Sequence, residues 1–101
     1  LSKKSGEIGR NVKNSGMKPG VHLASYKSRK DAERGWSQLR RAHKKELSLL
    51  QPNISETNLG SKGVFYRLKA GPLIDQRSAK ALCRKLKSRR QFCEVTFIKT
   101  G

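Results

Sequence analysis

Apolar and polar side chains alternate in two stretches of the chain, which predicts two β-strands. Residues 21–26 read Val-His-Leu-Ala-Ser-Tyr, and residues 64–70 read Val-Phe-Tyr-Arg-Leu-Lys-Ala. Successive side chains of a strand point to opposite faces of its sheet. The side expected to enter a core holds Val21, Leu23, Ser25, Val64, Tyr66, Leu68 and Ala70. The other side holds His22, Ala24, Tyr26, Phe65, Arg67 and Lys69. Gly71 and Pro72 then end the second strand, because proline has no amide hydrogen to donate to a ladder.

A stretch with helical periodicity follows each of these strands. Ser28 and Asp75 can each accept a hydrogen bond from a free amide at the start of a helix. The first helix has one apolar stripe, made by Ala32, Trp36, Leu39 and His43. The second helix ends near Ser88 and has a stripe made by Ala79, Leu82, Cys83 and Leu86. We expect each stripe to pack against the sheet. We interpret Trp36 as a core residue and His43 as a partly buried edge residue at the end of the helix.

Two further strands complete the pattern. Residues 54–58 read as a short edge strand, and the turn from Gly60 to Gly63 leads from it into Val64, which predicts an antiparallel hairpin. Residues 93–98 alternate again. The order strand, helix, strand, strand, helix, strand predicts an α+β fold, the βαββαβ ferredoxin-like or RNP-like sandwich. Right-handed crossovers then place both helices on one face of a four-stranded antiparallel sheet.

The sheet face opposite the helices is expected to be uncovered and to bind a ligand. Its predicted residues are His22, Ala24, Tyr26, Phe65, Arg67, Lys69 and Thr96. An aromatic ring beside a guanidinium and an ammonium group suits a polar polymer, because the ring offers a flat apolar surface and the cations donate hydrogen bonds.

The charge of the chain narrows the class of partner. There are 24 Lys and Arg residues against 7 Asp and Glu residues, a formal net charge of +17. Such a balance favours nucleic acid, an anionic lipid surface or a cell-wall polymer. No apolar run is long enough to span a bilayer, no signal peptide is recognisable, and the chain begins with Leu1. We therefore expect a piece of a longer protein, with a flexible basic linker at residues 1–20 and one binding domain at residues 21–99.

Neither catalysis nor metal binding is expected. The seven acids are scattered along the sequence, and none pairs with another on the predicted open face, as a glycosidase would need. Cys83 and Cys93 lie far from His22 and His43 in sequence and lack the spacing of metal ligands. We therefore expect no enzyme activity, no metal and no cofactor.

The two strand motifs, each leading into a helix, resemble the SPOR domain, the sporulation-related repeat of bacterial envelope proteins. The resemblance covers roughly residues 21–98. In that family the first strand usually reads Val-Gln-x-Gly-Ser-Phe, so His22 stands where Gln is usual and Ala24 where Gly is common. Tyr26 and Phe65 match aromatic positions of the two motifs, and Arg67 matches the arginine of a Tyr-Arg-Val motif.

The resemblance implies a noncatalytic module that binds peptidoglycan, in particular glycan strands whose stem peptides amidases have removed. Such binding would direct the parent protein to the division septum. We accordingly expect a monomer in the periplasm or cell envelope of a Gram-negative bacterium, joined to a parent that is membrane-anchored or secreted. By likeness to the family, glycan contacts are expected around His22, Phe65, Arg67 and Lys69.

The same envelope context bears on the two cysteines. Cys83 is expected on the inward stripe of the second helix and Cys93 on the inward face of the last strand. An oxidising periplasm would allow one disulfide between them. Two buried thiols remain the alternative, since the sequence does not give their separation.

Single-stranded nucleic-acid binding is the competing hypothesis, because RRM domains share this strand order and stack bases on sheet aromatics. The third strand of an RRM carries alternating exposed aromatics, whereas here Arg67 and Lys69 follow Phe65 on that face. We therefore favour a carbohydrate ligand over nucleic acid.

Overall fold

The computed structural model describes residues 16–99 of the chain. In order, the elements are β1 (Met17–Tyr26), α1 (Arg29–Ala42), α2 (Lys44–Leu47), β2 (Gln51–Asn58), a 3-10 turn (Gly60–Lys62), β3 (Val64–Gly71), α3 (Gln76–Ser88) and β4 (Glu94–Lys99). The predicted order of strands and long helices is confirmed, and the short helix α2 was not predicted. Within the described residues the strands form one antiparallel sheet in the order β2-β3-β1-β4, which confirms the α+β ferredoxin-like fold.

The helices pack on one side of this sheet and enclose the core between the two layers. The core cluster consists of Val21, Leu23, Leu47, Leu50, Ala70, Ala79, Leu82, Cys83, Leu86 and Cys93, with Trp36, Leu39, Leu73 and Val95 packed against it. The helical periodicity in the sequence thus predicted the buried face of α3 correctly. Burial of these apolar side chains is the main driving force of the fold.

Both predicted helix starts are confirmed. The Oγ of Ser28 accepts a hydrogen bond of 3.1 Å from the amide of Asp31, and Oδ1 of Asp75 accepts one of 2.8 Å from the amide of Ser78. These hydrogen bonds satisfy amides that have no partner inside the first turn. The carboxylate of Asp75 also has a lowered pKa, because the Ser78 amide stabilises its charged form.

Strand β1 begins at Met17, four residues before the predicted start at Val21. Its first residues pair with β4, with Met17 opposite Lys99 and Pro19 opposite Phe97. Alternation did not reveal this extension because proline and glycine are rare in strands. The remainder of the predicted linker, residues 1–15, lies outside the described residues.

A β-bulge in β1 overturns part of the predicted open face. His22 pairs with Lys69, but Ala24 pairs with Leu68, so Leu23 is an extra residue on β1. One extra residue reverses the inward and outward alternation beyond it. Ala24 and Tyr26 therefore lie on the helix side of the sheet, and their predicted position on the open face was wrong.

Tyr26 packs against α1, as its contact with Gly35 shows. A side chain at Gly35 would overlap the hydroxyl and ring of Tyr26. Burial against this helix raises the pKa of the Tyr26 hydroxyl. Opposite Tyr26 in the ladder, the ring of Tyr66 lies 5.7 Å from the guanidinium of Arg29, at the start of the same helix. Glycine at position 35 thus lets the helix approach the sheet at this point.

Cys83 and Cys93 form a disulfide that joins α3 to the residue before β4. Both residues are nearly fully buried, at 5% and 1% exposure. The bond connects the helix layer to an edge strand, and it therefore limits movement of the loop between them.

Candidate functional site

The open face of the sheet centres on one row of side chains from β3. Phe65, Arg67 and Lys69 alternate with the buried Leu68 and Ala70, so they point away from the helices. All three are half-buried rather than fully exposed. Since β3 is an inner strand, neighbouring strands hold this row in place on both sides. The result is a fixed array of one ring and two cations, as the alternation of β3 predicted.

Short polar side chains border this row. Thr57, Ser55 and Asn53 of β2 pair with Phe65, Arg67 and Lys69 in turn, and Ser25 and His22 of β1 pair with Arg67 and Lys69. Hydroxyl and amide groups can donate and accept hydrogen bonds. The open face therefore has charged and neutral hydrogen-bond donors around the ring of Phe65.

His22 lies at the edge of the row, in a defined hydrogen-bonding state. Its Nε2 is 3.0 Å from the carbonyl oxygen of Ala24, which can only accept, so Nε2 carries the hydrogen and Nδ1 is an acceptor. Burial lowers the pKa of His22 below 6.5, and the positive charges of Arg67 and Lys69 lower it further. The hydrogen bond to Ala24 and the negative charge of Glu94 raise the pKa, but their effect is smaller. This shift favours the uncharged ring over the charged one.

Phe92 is a member of this site that the sequence prediction missed. Its ring meets His22 edge-on at a centroid distance of 5.6 Å, and the side chain is 53% exposed. Nε2 of Gln91 donates to the carbonyls of Leu23 and Phe92 at 3.1 and 2.9 Å, which fixes this loop to the bulge in β1. No periodic pattern includes Gln91 and Phe92 in the sequence. The one sequence feature that could have indicated Phe92 is its position directly before Cys93, a residue expected to be buried.

Strand β4 contributes a polar and an apolar position to the open face. Thr96 pairs with Gly20 and lies on this face, as predicted. Ile98 is on the same side and only 4% exposed, because its side chain lies over Gly20 and Gly71. A Cβ at either glycine would come within 2.9 or 2.8 Å of Ile98. At this end of the face, Ile98 therefore packs directly on the backbone of β1 and β3.

The charge of the open face is modest. Within residues 16–99 its ionised groups are Lys18, Arg67, Lys69 and Glu94, whereas the helices on the other side carry most of the described cations. A track for the phosphates of a nucleic acid would need more cations than this. The mixture of rings, hydroxyls and a few cations fits a neutral or weakly anionic polymer better.

The described part of the open face holds few of the side chains that take part in catalysis or metal binding. Glu94 is the one carboxylate on the open face among residues 16–99, and no group of three or more His, Cys, Asp and Glu residues in this range could hold a metal ion. What the face can do is bind: rings can lie on apolar patches of a ligand while Arg67 and Lys69 donate hydrogen bonds.

Five of the seven predicted site residues come together on this face: His22, Phe65, Arg67, Lys69 and Thr96. The bulge separates Ala24 and Tyr26 from them. Ser25 was predicted to point toward the core, but it lies on the open face beside Arg67.

Comparison with protein-family models identifies a match over most of the chain. The family model described as SPOR domain matches residues 18–96. Neither a curated protein nor a solved structure matches the chain. In the part of the chain that the structure describes, the helices are too short or too polar to cross a membrane.

Proposed function

The chain belongs to the SPOR domain family, whose members are binding modules that generally attach division proteins to peptidoglycan, and from this premise we propose that the open sheet face binds glycan strands. The ligand would be a strand from which the stem peptides have been removed. Binding would bring the parent protein to the division septum.

The observation that carries this proposal is the row of Phe65, Arg67 and Lys69 with His22 and Phe92 beside it. Sugar rings present apolar C–H faces, which can lie on an aromatic ring. Their hydroxyl and N-acetyl groups need both donors and acceptors. The cations and the neutral His22 supply these within one flat surface.

The cations also favour denuded strands. Loss of the stem peptide leaves a lactyl carboxylate on the sugar, and an Arg or Lys side chain forms short, charge-assisted hydrogen bonds with a carboxylate. Arg67 and Lys69 lie two residues apart on one strand, a spacing of roughly 7 Å along the sheet. A single glycan strand that lies along the open face can thus contact both cations.

The proposed setting is the periplasm or cell envelope of a Gram-negative bacterium. The Cys83–Cys93 disulfide supports an oxidising compartment, where such bonds persist. There the domain would act as a monomer attached to a membrane-anchored or secreted parent, with the residues that precede β1 as a basic linker.

Sedimentation with purified sacculi tests the proposal. We expect the domain to pellet with peptidoglycan, and more so after amidase treatment. Phe65→Ala and Arg67→Ala should each weaken binding by roughly tenfold or more. Burial of a Phe side chain contributes about 1.5–3 kcal/mol, and a hydrogen bond to a charged group contributes about the same. Thermal unfolding of each variant checks that the fold is intact.

Two matched variants act as controls. Phe97→Ala removes a partly exposed ring from the other side of the sheet, and Arg84→Ala removes an exposed cation from α3. Both should bind as the unmodified chain does. Equal losses in Arg67→Ala and Arg84→Ala would mean that binding follows net charge alone. Tighter binding to an oligonucleotide, lost steeply with salt, would favour the nucleic-acid hypothesis instead.

A further inference from the structure

Among residues 16–99, most of the positive charge lies on the side of the molecule that faces away from the proposed glycan site. Helices α1, α2 and α3 together carry twelve Lys and Arg residues, half of the 24 in the chain, against three acids. All twelve cations are exposed. A glycan site on the open sheet face makes no use of them.

The acids of this layer do little to reduce its charge. Arg89 forms an ion pair of 2.9 Å with Glu46, whose side chain is only 11% exposed. Arg34 lies 3.6 Å from Asp31, one turn away on the same helix. With three acids against twelve cations, the layer keeps an excess of positive charge and presents a strongly positive potential to solvent.

A surface pocket of about 420 Å³ lies in this layer between α1 and α2. Trp36 forms an apolar part of its lining, and Arg40, Arg41 and Lys44 provide cations around it. A second groove lies between α2 and α3 and is lined in part by Lys45 and Lys85. Each of the three helices therefore contributes cations to the lining of a surface groove in this layer.

Apolar side chains stand among these cations. Trp36 is only partly buried, and Leu49, directly after the pocket residue Ser48, is 93% exposed. An exposed leucine has no role in contacts with a nucleic-acid backbone. A tryptophan in a pocket lined by arginine and lysine, with an almost fully exposed leucine next in sequence to that pocket, instead offers the elements of interfacial binding, in which apolar groups enter the headgroup region and cations meet lipid phosphates.

We propose that the pocket of Trp36, Arg40, Arg41 and Lys44, together with Leu49, is a docking site for an anionic phospholipid bilayer. The phosphate of a headgroup would occupy the pocket, and Leu49 would insert at the level of the acyl boundary. Because this site and the sheet face lie on opposite sides of the fold, the domain can hold a bilayer and a glycan strand at the same time.

Vesicle sedimentation with the complete chain tests this site. We expect the chain to pellet with vesicles of mixed phosphatidylglycerol and phosphatidylcholine, and to stay in solution with pure phosphatidylcholine. The triple variant R40Q/R41Q/K44Q should lower partitioning roughly a hundredfold at low salt, at about fivefold per cation near an anionic surface. Leu49→Ala should lower it about fivefold without any change in charge.

A variant with the same loss of charge separates the site from net charge. K27Q/K62Q/K99Q removes three exposed lysines that do not line the pocket. We expect it to retain most vesicle binding and both triple variants to retain binding to sacculi. Equal losses in the two triple variants, an inert Leu49→Ala, or a duplex oligonucleotide that binds more tightly than vesicles through the same three cations would each overturn the proposal.

Discussion

The contact between Tyr26 and Gly35 tests the bulge in β1. With the bulge, the Tyr26 ring lies on the helix side of the sheet, whereas regular alternation along β1 would place it on the open face. In the structure the ring fills the space above Gly35. Replacing Gly35 by Ala would gain about 1 kcal/mol of helix propensity. The added methyl group would also force the Tyr26 ring out of place, and overpacking of this kind costs about 1–3 kcal/mol.

The gain in helix propensity and the cost of overpacking together predict that the effect of Gly35→Ala on the free energy of unfolding depends on whether Tyr26 is present. With Tyr26 present, Gly35→Ala should leave the free energy of unfolding unchanged or lower it by up to about 2 kcal/mol, the overpacking cost less the propensity gain. In a Tyr26→Ala background the ring is absent, so the same change should raise the free energy of unfolding by about 1 kcal/mol. The coupling between the two positions should then be about 1–3 kcal/mol.

Urea unfolding followed by fluorescence of the single tryptophan, Trp36, measures all four proteins of this cycle. Gln38→Ala, at an exposed position of the same helix, is the control and should have the same small effect in both backgrounds. If Gly35→Ala acts equally with and without Tyr26, the ring does not lie over the helix, and the reasoning from the bulge is refuted. Tyr26→Ala should also retain binding to sacculi.

Two further predictions concern pH and the disulfide. Because burial lowers the pKa of His22 below 6.5, the unfolded chain takes up a proton first, and the free energy of unfolding should fall as the pH drops through 6.5. His22→Gln should flatten this part of the stability profile, and an unchanged slope would show that other groups cause it. Replacing Cys83 and Cys93 together by Ala opens a loop closed across ten positions and should lower the free energy of unfolding by about 3 kcal/mol. Urea titration measures this loss, and a loss under about 1 kcal/mol would contradict it.

Much of the fold could be predicted from short-range sequence patterns, namely helix caps and strand alternation. Ser28 and Asp75 marked both long helices, because a capping side chain acts on its own first turn and needs no distant partner. The alternation of β3 gave the correct faces for Phe65, Arg67 and Lys69, since no irregularity interrupts that strand. In these segments the sequence pattern and the tertiary environment agree.

The errors came from features that depend on the rest of the molecule. A bulge at Leu23 reflects pairing with β3, so β1 by itself gives no sign that Ala24 and Tyr26 turn toward the helices. Phe92 reaches the site only because Gln91 binds the backbone of β1, a contact across 68 positions in sequence. Neither the bulge nor this loop contact has a periodic signature.

The central claim is that the ligand lies on the open face of β1 and β3, and mapping of amide NMR shifts on titration with amidase-treated glycan strands tests it most directly. We predict the largest changes at His22, Phe65, Arg67 and Lys69, with small changes along the helices. Changes concentrated at Arg40, Arg41 and Lys44, with an unaffected β3, would contradict the claim.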